Sequence, residues 1–377
     1  MLALSPGGPL FLGHDIYRNS TYGSRHPLAI PRVPSVIDLC RTLGWLPQSA
    51  YRTSPRARPA ALQAFHTPAY VAALQAAEAA QYVSDDIRQR HGLGTLSNPV
   101  YPEMFRRPAT SAGGALLAAE LVAHGGTVFH PAGGTHHGLP DRANGFCFLN
   151  DPVLAILALL RLGVDRVAYV DIDAHHCDGV AHAFAEVPEV LMVSTHEADR
   201  WPFTGTLSER LCGNALNLPL ERGAGDGDAA MALDSLILPA VQAHRPGAIV
   251  LQCGSDAVAE DPLSRLGWTN AAHRRTVAAL MGLGIPMLVT GGGGYNPWSV
   301  ARCWSGIWAV LSGQEIPERL EPSAQAVLRG MSWHRRAGQR PPEHWFTTLA
   351  DPPGAPGILD STRASVAALR AQLKAVI

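Results

Sequence analysis

The chain has 377 residues, which is long for one domain but within the range of a single large α/β domain. Hydrophobic residues make up 47% and charged residues 16%, so the sequence can build a substantial buried core. A formal net charge of −1, without an acidic or basic tail, argues against a nucleic-acid partner. We therefore expect a small or loosely tethered substrate.

The six cysteines show no C-x-x-C spacing, and no secretory signal precedes them. The N-terminal segment MLALSPGGPLFLGHDIY is interrupted by Pro6, Gly7, Gly8 and Pro9, so it cannot form a continuous apolar helix. No uncharged apolar run of about 18 residues occurs, and no membrane span is predicted. We expect a cytoplasmic protein with unpaired thiols. The sequence gives no indication of an oligomeric state.

Two kinds of segment alternate between residues 108 and 312. Short β-branched runs predict buried parallel strands at TVFHPAGG, RVAYVDID, VLMVSTHE, AIVLQCGSD and PMLVTGGGG. Ala/Leu-rich stretches with helical periodicity lie between them, most clearly SAGGALLAAELVAH, DPVLAILALLRLG and AAMALDSLILPAVQAH. The alternation predicts a three-layer α/β/α domain around a central, mainly parallel sheet.

The two ends of the chain are less regular. VPSVIDLCRTLGWL and PAYVAALQAAEAAQYV predict helices, joined by the Pro- and Arg-rich segment YRTSPRARPA. After Ile316, Pro and Gly clusters precede a short Ala-rich helix. We predict a main domain over residues 1–318 and a tail over 319–377 that packs on the same domain.

Polar side chains follow each predicted strand at its carboxyl end. In chain order these residues are His136 and His137; Asp171, Asp173, His175 and Asp178; Ser194, Thr195 and His196; Asp256; and Tyr295. Ligands of open α/β sheets bind beyond the carboxyl ends of the strands. The convergence of five strand ends on one rim therefore predicts a catalytic site.

The segment DIDAHHCD (171–178) points to a metal ion. Asp173 and His175 share a face if the strand continues, because side chains alternate with a period of two. With Asp256 they would give three protein ligands and an open position, the pattern of a catalytic zinc site. The same ligands would also suit iron(II). Alone, Asp173 and His175 could simply cap the following helix, but the other polar strand ends favour the metal.

Acid–base groups are predicted beside that metal. His136 and His137 follow a Gly-Gly break, which lets both imidazoles enter the site, and a histidine near neutrality can take a proton from water. Asp171 and Asp178 could each orient one imidazole. Adjacent loop histidines are also often merely solvated.

The glycine run Gly291–Gly294 lets the backbone approach a ligand closely. The phenol of Tyr295, which follows, could donate to a developing oxyanion. A phosphate cradle is the alternative, but the run lacks the Lys-Ser/Thr of a P-loop.

Taken in order, these motifs resemble the histone deacetylase family and its bacterial acetoin-utilisation relatives. The matching stretches extend over most of residues 14–312: HHGL (136–139), NGFCFLND (144–151), DIDAHHCDG (171–179), QCGSD (252–256), DPL (261–263) and GGGGYN (291–296). The resemblance implies the arginase/deacetylase fold. It also implies zinc-dependent removal of an acetyl or short acyl group from an acylated amine such as acetyl-lysine.

The resemblance assigns roles to the matching residues: metal ligation to Asp173, His175 and Asp256; general-base catalysis to His137, with His136 as its partner and Asp178 and Asp171 behind them; and carbonyl polarisation to Tyr295. It places a substrate tunnel at Gly145, Phe146, Trp201 and Leu263, and an acetate-release channel at Arg32. A structural potassium ion is implied at Asp171 and Ser194 and at the backbone carbonyls of Asp173, His175 and Thr195.

Three positions depart from the family pattern. Cys177 replaces the usual glycine after the paired histidines. Its thiol could simply pack in the interior, which we favour, or it could be sensitive to oxidation. WPFTG (201–205) replaces the usual FPGTG beside the tunnel. Leu263 stands where polyamine deacylases of the family carry glutamate, so we expect a preference for acetyl-lysine peptides; Glu103 is the other candidate anion for a polyamine.

Three alternatives can be weighed against this interpretation. A two-manganese ureohydrolase such as arginase needs carboxylates where this chain has Cys177 and Val258. An acetylpolyamine deacetylase needs an anion at the rim, which Leu263 does not supply. A scaffold protein that has lost activity would be expected to lose catalytic residues, yet all are present.

Overall fold

The computed structural model describes residues 8–376, and the side chains of residues 8–373. Pro6 and Gly7, which we expected to interrupt an N-terminal helix, lie outside the described residues, as does Ile377. None of the described helices is both long and apolar enough to cross a lipid bilayer.

Eight strands form the centre of the molecule: β1 (Leu10–Gly13), β2 (Tyr51–Thr53), β3 (Thr127–His130), β4 (Val167–Asp171), β5 (Val190–Glu197), β6 (Ala215–Leu220), β7 (Ala248–Gln252) and β8 (Met287–Thr290). They pair in the order β2-β1-β3-β8-β7-β4-β5-β6. Every pair is parallel. All carboxyl ends therefore meet at one edge of a single sheet.

The helices are α1 (Ile16–Asn19), α2 (Arg32–Thr42), α3 (Pro59–Leu62), α4 (Pro68–Ala80), α5 (Asp85–His91), α6 (Arg106–Ala123), α7 (Asp151–Arg161), α8 (Asp178–Ala183), α9 (Asp226–Ala232), α10 (Leu238–His244), α11 (Asn270–Met281), α12 (Pro297–Ser312), α13 (Pro322–Arg329), α14 (His344–Thr347) and α15 (Asp360–Val376). One layer, with α2 and α9 to α12, packs on one face of the sheet. A second layer, with α6 to α8, packs on the other.

Strand β4 shows how the sheet is buried on both faces. Ala168 and Val170 belong to the hydrophobic cluster of the first layer, whereas Val167 and Tyr169 belong to that of the second. Successive side chains of a strand point to opposite faces, so an uninterrupted apolar run is what a strand covered on both sides requires. The predicted three-layer α/β/α class is confirmed.

All five predicted strands are present, and three further strands were not predicted. β1 and β2 have only four and three residues, too few to show a period, and β6 (ALNLPL) contains Asn and Pro. The predicted helix AAMALDSLILPAVQAH is interrupted by a π-helical turn at Leu233–Ile237. Pro239 follows this turn and has no N–H to continue the regular hydrogen-bond ladder.

The C-terminal segment lies against the layers just described. α13 contacts α2, and α15 contacts α9 and β6. Val366 and Leu369 of α15 are buried in the first hydrophobic cluster. The fully buried guanidinium of Arg302 donates to the backbone carbonyls of Thr348 and Ala350. The boundary at residue 318 stays a prediction.

His66 connects the N-terminal helices to the loop between β3 and α7. Its side chain is 1% exposed, and both ring nitrogens have partners. Nδ1 lies 3.0 Å from the carbonyl of Leu139, and Nε2 accepts a hydrogen bond from the backbone N–H of Asn150 at 3.0 Å. Only the neutral Nδ1–H tautomer satisfies both contacts. Burial lowers the pKa of His66 from its ordinary value of 6.5 to about 4.

This burial predicts acid sensitivity. Between pH 6.5 and 4 the unfolded chain binds a proton at His66 that the folded protein does not, so stability falls as the pH falls through this window. A pKa shift of this size corresponds to a decrease of roughly 3 kcal/mol in the free energy of unfolding when the pH falls below both pKa values. Urea denaturation of wild type and His66→Gln at pH 7, 6, 5 and 4 should show a shallower pH dependence for the variant. Parallel curves would contradict this account of His66.

Candidate active site

Three potential metal ligands converge at the carboxyl edge of the sheet. One ligand atom each from Asp173, His175 and Asp256 lies within 4.8 Å of the others. Nδ1 of His175 is 3.1 Å from Oδ1 of Asp173 and 2.9 Å from Oδ2 of Asp256. The residues come together differently from our expectation, because β4 ends at Asp171 and does not continue to His175. Instead, the backbone N–H of His175 donates to Asp173 Oδ1 at 2.9 Å and turns the chain.

Neighbouring donors hold both carboxylates in place. Oδ2 of Asp173 accepts hydrogen bonds from Gln252 Nε2 at 2.8 Å and from the backbone N–H of Gly293 at 2.7 Å. Oδ1 of Asp256 accepts from the backbone N–H of Ala174 at 3.1 Å. Asp256 therefore uses one oxygen for orientation and keeps the other for the convergence point, whereas both oxygens of Asp173 accept orienting hydrogen bonds. Burial and the charge of Asp173 raise the pKa of Asp256.

His136 and His137 each pair with the carboxylate that the family resemblance implied for them. Nδ1 of His136 lies 2.7 Å from Asp171 Oδ2, and Nδ1 of His137 lies 2.6 Å from Asp178 Oδ1. The two Nε2 atoms are 3.0 Å apart. Asn144 donates to the other oxygen of Asp178 at 3.0 Å.

The two imidazoles differ in charge. Burial alone would lower the pKa of His136, but the charges of Asp171 and Asp173 outweigh it and raise the pKa to about 9. Burial and the neighbouring charge of His136 lower the pKa of His137 to about 4. At neutral pH the pair thus consists of a cationic His136 and a neutral His137.

A hydrogen bond from its backbone N–H holds Tyr295 beside the two histidines. Its N–H donates to Asp261 Oδ2 at 2.7 Å, and the other oxygen of Asp261 accepts from the N–H of Leu263 at 2.9 Å. Asp261 therefore sets the positions of two cleft residues at once. Burial raises the pKa of Tyr295 well above its ordinary value, so the phenol keeps its proton and can donate.

A cleft of about 710 Å³ leads from the surface to these groups. Its lining includes all four predicted tunnel residues, Gly145, Phe146, Trp201 and Leu263, together with His137, His175 and Tyr295. The ring of Trp201 packs edge-on against His137, with centroids 4.6 Å apart. A Cβ atom at Gly145, where φ is +51°, would collide with the Trp201 ring, so only glycine leaves the passage its width.

Arg32 lies on the inner side of the site. It lines an internal cavity of about 70 Å³ together with Arg107, Asp173 and Tyr295. Its guanidinium donates to the carbonyl of Gly292 and stacks over Trp304 at 4.9 Å. The Nε atom is buried without a protein partner in the described residues. A buried, incompletely paired cation facing a small cavity suits a small anion.

The residues expected around a potassium ion lie on β4, β5 and the turn between Asp173 and His175. Asp171 and Ser194 are register partners in the sheet. The hydroxyl of Thr195 donates to the carbonyl of Asp171 at 3.4 Å, and Ser194 Oγ lies 3.0 Å from Nδ1 of His196. The backbone carbonyls of Asp173 and His175 accept no hydrogen bond from any described residue.

The family model described as "Histone deacetylase domain" matches residues 26–311. The chain belongs to the histone deacetylase family. Within the match lie the metal-ligand cluster, both His–Asp pairs, Tyr295 and the whole cleft.

Several family members illustrate the likeness. Histone deacetylase 2 of Oryza sativa subsp. japonica is 36% identical over 314 residues, which are 80% of this chain and 61% of the rice protein. Histone deacetylase 1 of Homo sapiens is 33% identical over 312 residues, covering 80% of this chain and 64% of the human protein. The match to the rice protein thus spans about three fifths of its length.

Solved structures extend the likeness to nearly the whole chain. The crystal structure of an HDAC homolog from Aquifex aeolicus superposes with a TM-score of 0.92 at 32% identity, covering 97% of this chain and 100% of that one. An HDAC homolog complexed with SAHA gives a TM-score of 0.93 at 31% identity, with the same coverage. The arginase/deacetylase-like fold is confirmed; the acetoin-utilisation subgroup stays a prediction.

The structure also identifies site residues that the sequence analysis gave no role. Gln252 orients Asp173, Asn144 orients Asp178, and Asp261 positions Tyr295. Gln252 offered a signal, because it is a polar residue at the end of a fully buried strand. Glu103, our other candidate anion, does not line the cleft.

Cys177 lies in the second hydrophobic cluster with Val180 and Phe184. It is 1% exposed, and burial raises the pKa of its thiol well above the ordinary value. A protonated, buried thiol is a poor nucleophile. These properties favour inert packing over a redox-sensitive role.

The ligand geometry predicts metal loss in single variants. His175→Ala and Asp256→Ala each remove one of three ligands, so each should fall well below one equivalent of bound zinc in elemental analysis. His176→Gln is the matched control, because this neighbouring histidine contacts Thr204 and Asn217 and lies outside the cluster. Full zinc occupancy in either ligand variant would refute the assignment.

Proposed function

We propose that this protein is a zinc-dependent deacylase that hydrolyses the amide of an acetylated, or short-chain acylated, amine such as acetyl-lysine. The observation that carries the proposal is the convergence of Asp173, His175 and Asp256 at the base of an aromatic-walled cleft that His137 and Tyr295 also line. The HDAC homolog complexed with SAHA, which superposes with a TM-score of 0.93, supports a ligand-binding cleft in this fold.

The donor set fits a divalent ion. Two carboxylate oxygens and one imidazole nitrogen neutralise its charge, and three protein ligands leave a coordination position open. Bound there, zinc would polarise the substrate carbonyl and acidify a water molecule; iron(II) would suit the same ligands. A potassium ion is proposed at Asp171 and Ser194, supported by the unsatisfied carbonyls of Asp173 and His175.

The substrate would enter the cleft between its aromatic side chains. An extended alkylamine chain would lie against Phe146 and Trp201, two aromatic residues that line the cleft. Its acyl group then lies between the ligand cluster and Tyr295. This arrangement holds the scissile carbonyl close to both, which replaces a bimolecular encounter by a fixed geometry.

His136 and His137 carry out proton transfer. The Nδ1–H of His137 donates to Asp178, so Nε2 carries no hydrogen of its own and can take a proton from the attacking water. His136, held as a cation by Asp171, lies 3.0 Å away and supports the return of a proton to the leaving amine. The freed carboxylate product meets the guanidinium of Arg32 in the inner cavity.

The overall test is turnover of an acetyl-lysine peptide by the zinc-loaded protein, with Asp256→Ala as the inactive control. Absence of turnover in the zinc-loaded wild type, across acetyl-lysine peptides, acetylpolyamines and acylated amino sugars, would reject the proposal.

Tyr295→Phe tests how the carbonyl oxygen is stabilised. Negative charge develops on this oxygen during attack, and the phenol donates to it mainly in the transition state. Loss of one such donor typically lowers kcat by ~10²–10³, or about 2.7–4 kcal/mol. We expect that decrease with little change in KM and an unchanged zinc content. Normal turnover would make the phenol structural.

Substrate choice is tested at Leu263, whose side chain lines the cleft while its backbone is held by Asp261. Wild type should have a higher kcat/KM for acetyl-lysine peptides than for acetylspermidine or acetylputrescine. Leu263→Glu should shift the ratio toward the polyamines, because a carboxylate there can pair with their ammonium groups. Glu103→Gln, outside the cleft, should leave the ratio unchanged. A wild-type preference for polyamines would contradict the role of Leu263 in substrate choice.

A further inference from the structure

Phe203 lies at the outer lip of the cleft and contributes little to the fold. Its side chain is 72% exposed, whereas Trp201, two residues earlier, is 37% exposed and packs inward on His137. Phe203 lines the cleft together with Leu263 and Phe146. A phenylalanine with this exposure gains little from burial in its own protein.

The backbone of Phe203 is in an unfavourable conformation. Its φ is +62°, in the left-handed region where a bulky side chain is a genuine outlier. Glycine adopts such a φ without strain. This chain therefore holds an aromatic side chain where its backbone favours glycine.

The turn that carries Phe203 is firmly held, so the strain persists. The N–H of Phe203 donates to the carbonyl of Arg200 at 2.8 Å. The guanidinium of Arg200 pairs with Glu197 at 2.5 Å, and Glu197 also accepts the backbone N–H of Arg265 at 2.7 Å. Strained residues that a rigid surrounding maintains are concentrated at ligand-binding sites.

The charged side chains of the cleft do not favour a substrate of either charge. Arg142, Asp199 and Arg200 line the cleft. Arg200 is already paired with Glu197, so one unpaired charge of each sign is left among these described residues. The guanidinium of Arg142 is engaged by the carbonyl of Gln89 at 2.7 Å. With the charges balanced, the distinctive chemistry that the lip offers is the apolar face of Phe203.

We propose that Phe203 is a specificity-determining residue that packs against an apolar or aromatic side chain next to the acylated lysine of a peptide substrate. The inference rests on the proposed deacylase function and narrows its substrate class to peptides with apolar neighbours. Such a contact would act on substrate binding outside the tunnel and leave the reacting groups unchanged.

Phe203→Gly tests the proposal with two acetyl-lysine peptides, one flanked by phenylalanine on both sides and one by glycine. Wild type should favour the phenylalanine peptide in kcat/KM by about two- to tenfold, the range of an aromatic pair contact. The variant should lose this preference through a higher KM, with kcat and the glycine peptide unaffected. Its melting temperature should stay the same or rise, because glycine relieves the strain.

Leu211→Gly is the matched control. Leu211 also has a left-handed φ of +52° and is 37% exposed, but it does not line the cleft. Its replacement should leave the peptide preference of the wild type intact. A loss of preference in both variants would assign the effect to the loop and overturn the proposal.

Other results separate this inference from the proposed function. If wild type and Phe203→Gly hydrolyse both peptides equally well, the lip contact is rejected while the deacylase function stands. A fall of several degrees in the melting temperature of Phe203→Gly would show that the side chain stabilises the fold, and this also rejects the inference. If wild type hydrolyses neither peptide, the inference is rejected, and the wider substrate screen decides the proposed function.

Discussion

The burial of negative charge at one point is the constraint on which the site depends. Asp173 and Asp256 are 1% and 0% exposed, and their oxygens converge with one imidazole nitrogen. Like charges at such separation in a low dielectric repel strongly unless a cation lies between them. The fold tolerates this repulsion because hydrogen-bond donors at the ends of β4, β7 and β8 orient the carboxylates toward a common point.

The same constraint explains why glycine is needed beside the ligands. A Cβ atom at Gly293 would collide with Asp256 Oδ2. With only hydrogen there, the backbone N–H of Gly293 reaches Asp173 at 2.7 Å and the chain then delivers Tyr295 to the cleft. A single close approach therefore couples the orientation of a ligand to the position of the phenol.

The sequence predicted the sheet core and its polar rim because both depend on local patterns. Buried parallel strands are continuous apolar runs, and polar residues at their ends are conspicuous. Partners that are distant in sequence were not predictable: Asp261 reaches Tyr295 across 34 positions, and only the folded loop brings them together. The convergence of Asp173 and His175 was predicted for the wrong reason, since a turn replaces the expected strand.

The two edges of the sheet have a consequence for self-association. An open strand edge is a template on which another chain can add, which leads to aggregation. Here β2 has only three residues, two of them exposed, and at the other edge β6 contains Pro219 and is contacted by α15. The C-terminal helix also packs against this edge strand. We expect that shortening the chain at this end would make the molecule more prone to intermolecular strand pairing, even with the candidate active site intact.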